Sequence, residues 1–311
     1  MTTKRPLLIH GQWGLGDNIY ARLFVKKLSE TRDIYLDTPW PEIYEDLPVK
    51  FILKPRRLRT QMKNVDRQPA GRWTPLPKSW METKQISYFD LGMRHLSIPV
   101  AIGLKFAAPS DWSTWDLPVR HVCPIDAPRP IAVIKTTTVR QEWKSHSRNP
   151  KPEYVNWIAG ELMKTHFVVA VGDIDGRAET MVGDAPPCHL DFNSGQLQIE
   201  YLLALVRHAD IIVGGFGWNV PMSIALKTKS FVVLGGRGAH NAPEVITDPR
   251  MDLSHIGFAK PQRYCRCSNA QHDCNKDIPD LMEQWDNYCK RVAIAKSAIS
   301  SGGPLALATI Q

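Results

Sequence analysis

The sequence predicts an α/β protein built from two doubly wound halves, because short apolar strands alternate with amphipathic helices in two separate series. Its 311 residues agree with two domains of about 150 residues each. The two series are separated by a proline cluster of the kind found in linkers: Pro118, Pro124, Pro128 and Pro130. We therefore expect an N-terminal domain at 1–127, a C-terminal domain at 128–280, and a final helix and tail at 281–311.

The first series opens with an apolar strand at 6–10, followed by a glycine-rich loop and a helix at 17–30 that carries Ile19 and Leu23 at helical spacing. Between 54 and 84 the alternation fails, because Lys and Arg residues are mixed with four prolines, and we predict a basic loop there. The other predicted elements of this half are strands at 33–37 and 49–53, a short helix at 41–46 and a helix at 97–107.

The second series repeats the alternation after the proline cluster. Because strands that alternate with helices form parallel sheets, each half is expected to contain one parallel sheet. The predicted strands are at 131–135, 167–171, 210–213 and 231–234, and the predicted helices at 152–165, 196–208, 219–226 and 278–299.

The charge of the chain favours an anionic partner. Lys and Arg total 39 against 31 Asp and Glu, which gives a formal charge of +8. The longest charge-free stretch near a hydrophobic peak, at 211–226, has 16 residues and is too short for a membrane span, and the N-terminus has no signal-peptide pattern. We therefore expect a cytoplasmic protein without a transmembrane segment, whose six cysteines are thiols or metal ligands.

A glycine loop between the first strand and the first helix carries the first candidate side chain. In open α/β sheets, ligands bind beyond the carboxyl ends of the strands, where Asp17 is expected at the helix start. A carboxylate that only stabilises the helix N-terminus is the alternative interpretation. A dinucleotide-binding loop is disfavoured, because Ile19 stands where that motif requires a small residue.

Two later glycine-rich loops also follow predicted strands. The first contains Gly214, Gly215 and Gly217, and the second contains Arg237, His240 and Asn241. Backbone N–H groups at such a helix start can bind a diphosphate, although a tight turn with no ligand would need the same glycines. Because the two loops open on the same side of the sheet, together they favour phosphate binding.

A fourth segment groups three thiols and an imidazole within ten residues: Cys265, Cys267, His272 and Cys274. These side chains are zinc ligands, and four of them would form a closed structural site. Cys289 is an alternative to His272 as the fourth ligand, and a cluster of packed, reduced thiols is the alternative to a metal site.

The motifs GLGDNIYARLFVKKL and ADIIVGGFGWNVPMSIALKTKSFVVLGG together resemble the heptosyltransferase group of glycosyltransferases, family nine. The resemblance spans about residues 5–30 and 130–245. It implies the GT-B fold, in which two Rossmann-like domains face a central cleft. It also implies that Asp17 is the general base and that the segment 214–218 binds a nucleotide sugar.

The chain departs from the family pattern at three positions. Phe216 stands in place of the family's acid, Trp218 in place of a glycine and Pro221 in place of a histidine, so these donor contacts do not carry over. The family's cationic donor ligand falls within 138–151, where Arg148 or Lys144 is favoured and Arg140 is a further donor-binding candidate. A solvated basic loop is the alternative for this segment.

The resemblance implies an inverting glycosyltransferase that needs no catalytic metal and transfers a sugar, ADP-heptose by analogy, to an anionic acceptor such as lipopolysaccharide core. Such an acceptor would place the enzyme at the inner membrane surface. Two alternatives remain: a glycosyltransferase acting on a hydroxymethylated DNA base, and a nucleotide-sugar-binding protein without turnover. Because the first half of a GT-B enzyme holds the acceptor, the acceptor-binding candidates are Trp13, Arg56, Arg57 and Arg59, although basic loops and tryptophans also serve as solvated surface and core.

Overall fold

The computed structural model describes residues 4–11, 13–53, 58–76, 85–87, 115–142, 144–248 and 251–300. In its first half four parallel strands form a sheet in the order β3-β2-β1-β4. The elements of this half are β1 (Arg5–His10), α1 (Leu15–Ser29), β2 (Arg32–Asp37), a 3₁₀ helix (Pro41–Tyr44), β3 (Val49–Ile52), α2 (Arg59–Asp66), a 3₁₀ helix (Ala70–Arg72) and β4 (Gln85–Ser87).

The second half contains a six-stranded parallel sheet in the order β12-β11-β10-β5-β7-β9, and a short antiparallel pair of β6 and β8. Its strands are β5 (Ile131–Lys135), β6 (Thr138–Arg140), β7 (Phe167–Val171), β8 (Glu179–Met181), β9 (Leu190–Phe192), β10 (Ile211–Gly215), β11 (Lys229–Val233) and β12 (Ile256–Ala259). Its helices are a 3₁₀ turn (His146–Arg148), α3 (Pro152–Met163), α4 (Ile199–His208), α5 (Asn219–Leu226), α6 (Gly238–Asn241), α7 (Pro243–Ile246) and α8 (Leu281–Ser300).

The predicted α/β class is confirmed, and most of the predicted elements agree with the structure within a few residues. The basic segment is the main correction: part of it forms α2, which sequence periodicity did not indicate. This helix has no continuous apolar stripe, and its buried side chains are Gln61, Asn64 and Val65. It is held by polar contacts to other segments, which a pattern of local hydrophobicity cannot predict. The predicted helix at 97–107 lies outside the described residues.

Strand order determines where a ligand can bind in each sheet. The chain runs from β5 to β7 on one side of the second sheet and returns to β10 on the other side of β5. The strand order therefore reverses between β5 and β10, and the crevice beyond their carboxyl ends is the expected binding position. In the first sheet the same reversal occurs at β1, between β2 and β4.

The two halves share one hydrophobic core, because a single cluster of buried side chains extends from the first sheet through α1 and α5 to the second sheet. Helices α1 and α5 approach each other closely at their N-terminal ends, where a side chain on Gly16 would meet the Cα atom of Trp218 at 3.2 Å. The hydroxyl of Tyr20 also donates to the Ile246 carbonyl at 2.6 Å.

The predicted domain boundary at residue 127 lies, in sequence, after the last strand of the first sheet and before the first strand of the second. The division into two domains stays a prediction. Within the described part of the chain, no helix has the length and apolar character needed to cross a membrane.

A buried arginine anchors the segment that leaves the first half. Arg22 of α1 is fully buried, and its guanidinium donates to both carboxylate oxygens of Asp46, to the carboxylate and carbonyl of Asp116, and to the Ile43 carbonyl. Five N–H groups are thus matched to acceptors, as a buried guanidinium requires. Nearby, Trp115 donates its indole N–H to the Ile19 carbonyl, so the segment after residue 114 is tied to α1 at two points.

Replacement of Arg22 should therefore destabilise the fold. We expect Arg22→Met to lower the free energy of unfolding by about 3 kcal/mol, because it removes the donor from the Asp46 carboxylate and from the carbonyls of Ile43 and Asp116. Urea denaturation measures the change. Lys27→Met on the same helix is the control, since Lys27 is exposed and its ion pair with Glu30 should contribute under about 1 kcal/mol. A loss below about 1 kcal/mol for Arg22→Met would contradict this role.

Candidate functional site

A cleft between the two sheets contains a cavity of about 320 Å³ that both halves line. The first half contributes the N-terminal turn of α1, together with side chains of α2. The second half contributes the ends of β5 and β10, the loop before α3 and the start of α5. The cavity therefore lies at the strand reversal between β5 and β10, where the fold predicts a ligand.

Asp17 lines this cavity from the first turn of α1. The turn is stabilised by Asn18, whose backbone and side-chain N–H groups both donate to the Gly14 carbonyl. The carboxyl is partly accessible from the cleft, yet the surrounding protein displaces much of its hydration. This desolvation raises its pKa to about 6, and the positive charge of Arg148 across the cleft opposes the rise. A carboxyl that ionises near pH 6 is suited to accept a proton at neutral pH.

Close backbone approach explains the glycines at the end of β10. A Cβ atom on Gly214 would lie 2.8 Å from the Lys135 backbone oxygen, and one on Gly215 would lie 2.8 Å from Pro150. Both glycines are buried beneath the cavity, whereas Gly217 lines it. A Cβ on Gly217 would be 2.7 Å from Lys135 Cε, so a side chain there would displace the lysine.

Arg148 lines the cavity beside the glycine turn and is held by Phe216. Its guanidinium donates to the Phe216 carbonyl at 2.8 Å and lies 5.0 Å from the centre of the Phe216 ring. Phe216 therefore contacts a cation through both its carbonyl and its ring. Among the described residues, Arg148 has no carboxylate within ion-pair distance, so its charge is directed to the cleft.

The other donor-binding candidates occupy different positions. Arg140 lines the cavity but donates to Glu179 at 2.7 Å. Lys144 and His240 are exposed and Asn241 is buried, and none of the three lines the cavity. Arg237 does not line the cavity, and it donates to the Ser145 hydroxyl at 3.1 Å. The structure thus brings Asp17, Arg140, Arg148 and Gly217 together at one cavity, while the roles of all these residues stay predictions.

On the first half, the acceptor-binding candidates are only partly described. Arg56 and Arg57 lie outside the described residues. Trp13 is half-buried, and its carbonyl accepts from Trp40 and Gln61. Arg59 reaches across the cleft and pairs with Asp173 and Asp175 of the second half. Its guanidinium therefore connects the two halves in this structure, and acceptor binding by these residues stays a prediction.

Lys135, the last residue of β5, is a cavity residue that the sequence analysis missed. The strand itself was predicted. The signal that could have identified Lys135 was a lysine at the carboxyl end of a buried strand that borders a strand reversal. Lys63 of α2 and Arg67, which follows this helix, also line the cavity, and they donate to the carbonyls of Ser194 and Gly195 in the second half.

The cysteine segment forms a compact cluster with metal-ligand geometry. The ligand atoms of Cys265, Cys267, His272 and Cys274 all lie within 4.8 Å of one another, and the sulfurs of Cys267 and Cys274 are 3.5 Å apart. Two sulfurs bound to one zinc ion at about 2.3 Å in a tetrahedral site are separated by a similar distance. Cys289 lies on α8, outside this cluster, so His272 is the fourth member. These three sulfurs and one imidazole nitrogen therefore fit the coordination of a metal ion.

The backbone of the cysteine segment hydrogen-bonds to two of the loops that are predicted to bind the nucleotide sugar. The Cys265 carbonyl accepts from Gly238 N–H at 2.8 Å, and the Ala270 carbonyl accepts from Ser147 N–H at 3.1 Å. The contact is tight, because a Cβ on Gly236 would lie 2.3 Å from Cys274 Sγ. The segment that would hold a metal is thus bonded to the residue that precedes Arg148.

Comparison with known proteins identifies the fold. The sequence matches no protein-family model and no curated protein. The structure is similar to TibC, a dodecameric iron-containing glycosyltransferase from enterotoxigenic E. coli H10407, with a TM-score of 0.57 and 11% identity over 98% of this chain and 81% of TibC.

Two further E. coli structures give similar values. For ADP-heptose lps heptosyltransferase II the TM-score is 0.52, with 11% identity over 93% of this chain and 99% of that one. For heptosyltransferase WaaC with ADP-2-deoxy-2-fluoro heptose the TM-score is 0.50, with 12% identity over 94% of this chain and 99% of that one. At these identities the likeness establishes the fold, and the chain has the two-sheet GT-B architecture of the heptosyltransferases, as its sequence motifs predict.

Proposed function

We propose that the protein is an inverting glycosyltransferase that transfers a sugar from a nucleoside-diphosphate donor to an acceptor hydroxyl. The observation that carries the proposal is the opposition of Asp17 and Arg148 across one cavity at the strand reversal of a GT-B fold. A base and a cation on opposite sides of a cleft are the two groups that an inverting displacement needs.

The reaction follows from this arrangement. The Asp17 carboxylate removes the proton from the acceptor hydroxyl as its oxygen forms a bond to the anomeric carbon of the donor sugar. The bond from that carbon to the diphosphate oxygen breaks on the opposite side, and the nucleoside diphosphate leaves with the additional negative charge. Arg148 and the positive N-terminal end of the α5 dipole stabilise this charge, and Asp17 then releases its proton to solvent. Because protein cations serve the leaving group, we propose that the step uses no catalytic metal.

An ADP-sugar of the heptose type is the first donor to test, since two similar structures are complexes with ADP-D-beta-D-heptose and with ADP-2-deoxy-2-fluoro heptose. Phe216 positions Arg148 in place of the family's acid, so the sugar contacts of this chain differ from the family pattern. An anionic acceptor such as lipopolysaccharide core agrees with the net charge of +8 and with the basic segment at 54–72.

Substitution of Asp17 tests the proposal. Asp17→Asn should reduce kcat/KM for transfer from ADP-heptose by about 10²–10⁴-fold, because the amide cannot accept the proton. In the wild-type enzyme, kcat/KM should increase with pH through about 6, since Asp17 is active only when ionised and its pKa is about 6. Nucleoside diphosphate release, measured across pH 5–8, reports both effects.

Asp126→Asn is the matched control, because Asp126 is exposed and lies outside the cavity. A thermal-shift series with ADP, UDP, GDP and CMP identifies the base, and at least one nucleotide should raise the melting temperature. Stabilisation by none of the four would contradict the proposed function. Nucleotide binding without transfer or donor hydrolysis would favour a binding protein over an enzyme.

We further propose that Cys265, Cys267, His272 and Cys274 hold a structural zinc ion. The ion would fix the segment whose carbonyls bind the loops at 144–149 and 236–241, and so maintain the position of Arg148. Gln271 within this segment also donates to the Lys144 carbonyl. Because one similar protein is described as iron-containing, zinc and iron are both measured.

Metal analysis and metal removal test this site. Protein prepared without chelator should contain about one zinc or iron per chain, and Cys274→Ser should lose the metal, lower the melting temperature and weaken nucleotide binding. Cys123→Ser is the control, because Cys123 is half-buried and lies outside the cluster. Metal far below one per chain would refute the proposal.

A further inference from the structure

The proposed reaction uses Arg148 of the second half, yet it leaves unused another cavity cation, Lys135, which unlike Arg140 is not bonded to a carboxylate of the described residues. Lys135 is half-buried at the end of β5 and lines the same cavity as Asp17 and Arg148. Its ammonium forms no hydrogen bond or ion pair with any residue that the structure describes. A half-buried ammonium without a partner costs free energy, so its retention at this position points to a ligand that is bound during function.

Lys135 and Arg148 converge on one point of the cavity. A Cβ atom on Gly217 would lie 3.3 Å from the Lys135 Nζ atom and 3.4 Å from an Arg148 Nη atom. Glycine at 217 gives the Lys135 side chain room to reach this point, so both cations lie beside Gly217 and line the same cavity. The space also adjoins the start of α5, where the Val220 N–H is bonded to the Gly217 carbonyl and Pro221 has no N–H, so the positive end of the helix dipole is what favours an anion there.

The nearest carboxylate does not neutralise these cations. Glu179 faces Lys135 from β8, but it accepts hydrogen bonds from Arg140 at 2.7 Å and from the Thr138 hydroxyl at 2.6 Å. The charged groups that act on Lys135 are therefore Arg148, Glu179 and Arg140, and two of the three are positive. An anion in the cleft would supply the missing countercharge.

We propose that Lys135 is a donor-binding residue that, together with Arg148, contacts the diphosphate of the nucleotide sugar at Gly217. This inference rests on the proposed function and names a ligand residue that the sequence motifs do not indicate. The ammonium would act as a point charge beside the planar guanidinium, and both would remain on the diphosphate as it leaves.

The environment of Lys135 gives the proposal a pH signature. Burial, and after it the charge of Arg148, lowers the pKa of Lys135 to about 7. In the unliganded protein the side chain is therefore protonated below pH 7 and loses its charge as the pH rises. A bound diphosphate favours the charged form and raises the pKa again, so binding above pH 7 takes up a proton from solvent. Affinity should consequently decrease as the pH rises through 7.

Calorimetric titration with ADP tests this signature. For the wild-type protein we expect the dissociation constant to increase about tenfold between pH 6 and pH 8, with net proton uptake when buffers of different ionisation enthalpy are compared at pH 8. Lys135→Met should bind ADP at least about tenfold more weakly at pH 6, since a charge-assisted hydrogen bond is lost. Lys135→Arg should bind without this decrease in affinity, because arginine stays charged.

Comparison of the wild type with the two variants separates the titration of Lys135 from that of other groups. The ionisation of free ADP contributes equally to the titrations of all three proteins. Unliganded Lys135→Met should melt at an equal or higher temperature than the wild type, whereas a structural role for Lys135 predicts a lower one. Equal ADP affinity and equal pH dependence in wild type and Lys135→Met would overturn the inference and leave the proposed function intact. Wild-type protein that binds no nucleoside diphosphate would overturn both.

Discussion

The central constraint on this molecule is positive charge that the protein brings together without neutralising it. Helices α1 and α5 meet at their N-terminal ends, where Gly16 allows the backbone of Trp218 to approach, and Lys135 and Arg148 border the same cleft. Helix N-termini carry partial positive charge, so both backbone and side chains favour an anion there. The buried core that joins the sheets maintains this arrangement, because it packs α1 against α5.

One carboxylate gives the cleft its chemical asymmetry. Asp17 lies on the α1 side, where burial raises its pKa, while Lys135 and Arg148 lie on the side of the second sheet. A base and an anion-binding region separated by a cavity of about 320 Å³ suit a displacement in which a proton is removed on one side and a diphosphate leaves on the other. Each supporting loop is fixed by contacts distant in sequence: Phe216 orients Arg148, and the cysteine segment bonds to Ser147.

The sequence predicted the features that depend on local pattern. Strand β5 and helix α5 were placed at their observed bounds, and the glycine loops were assigned to the correct strand ends, because apolar runs and glycines signal these elements directly. Helix α2 was missed because its stability comes from contacts such as Arg59 with Asp173 across the cleft. Lys135 was missed as a site residue because its significance lies in the absence of a countercharge among its spatial neighbours.

The central claim is that the uncompensated cations of the cleft hold a nucleoside diphosphate. A crystal structure of the protein with bound ADP tests it most directly. The account predicts diphosphate oxygens within hydrogen-bond distance of Lys135 Nζ and the Arg148 guanidinium, close to the N-terminal end of α5. A diphosphate bound outside this cleft, or bound in it without contact to either side chain, would contradict the account.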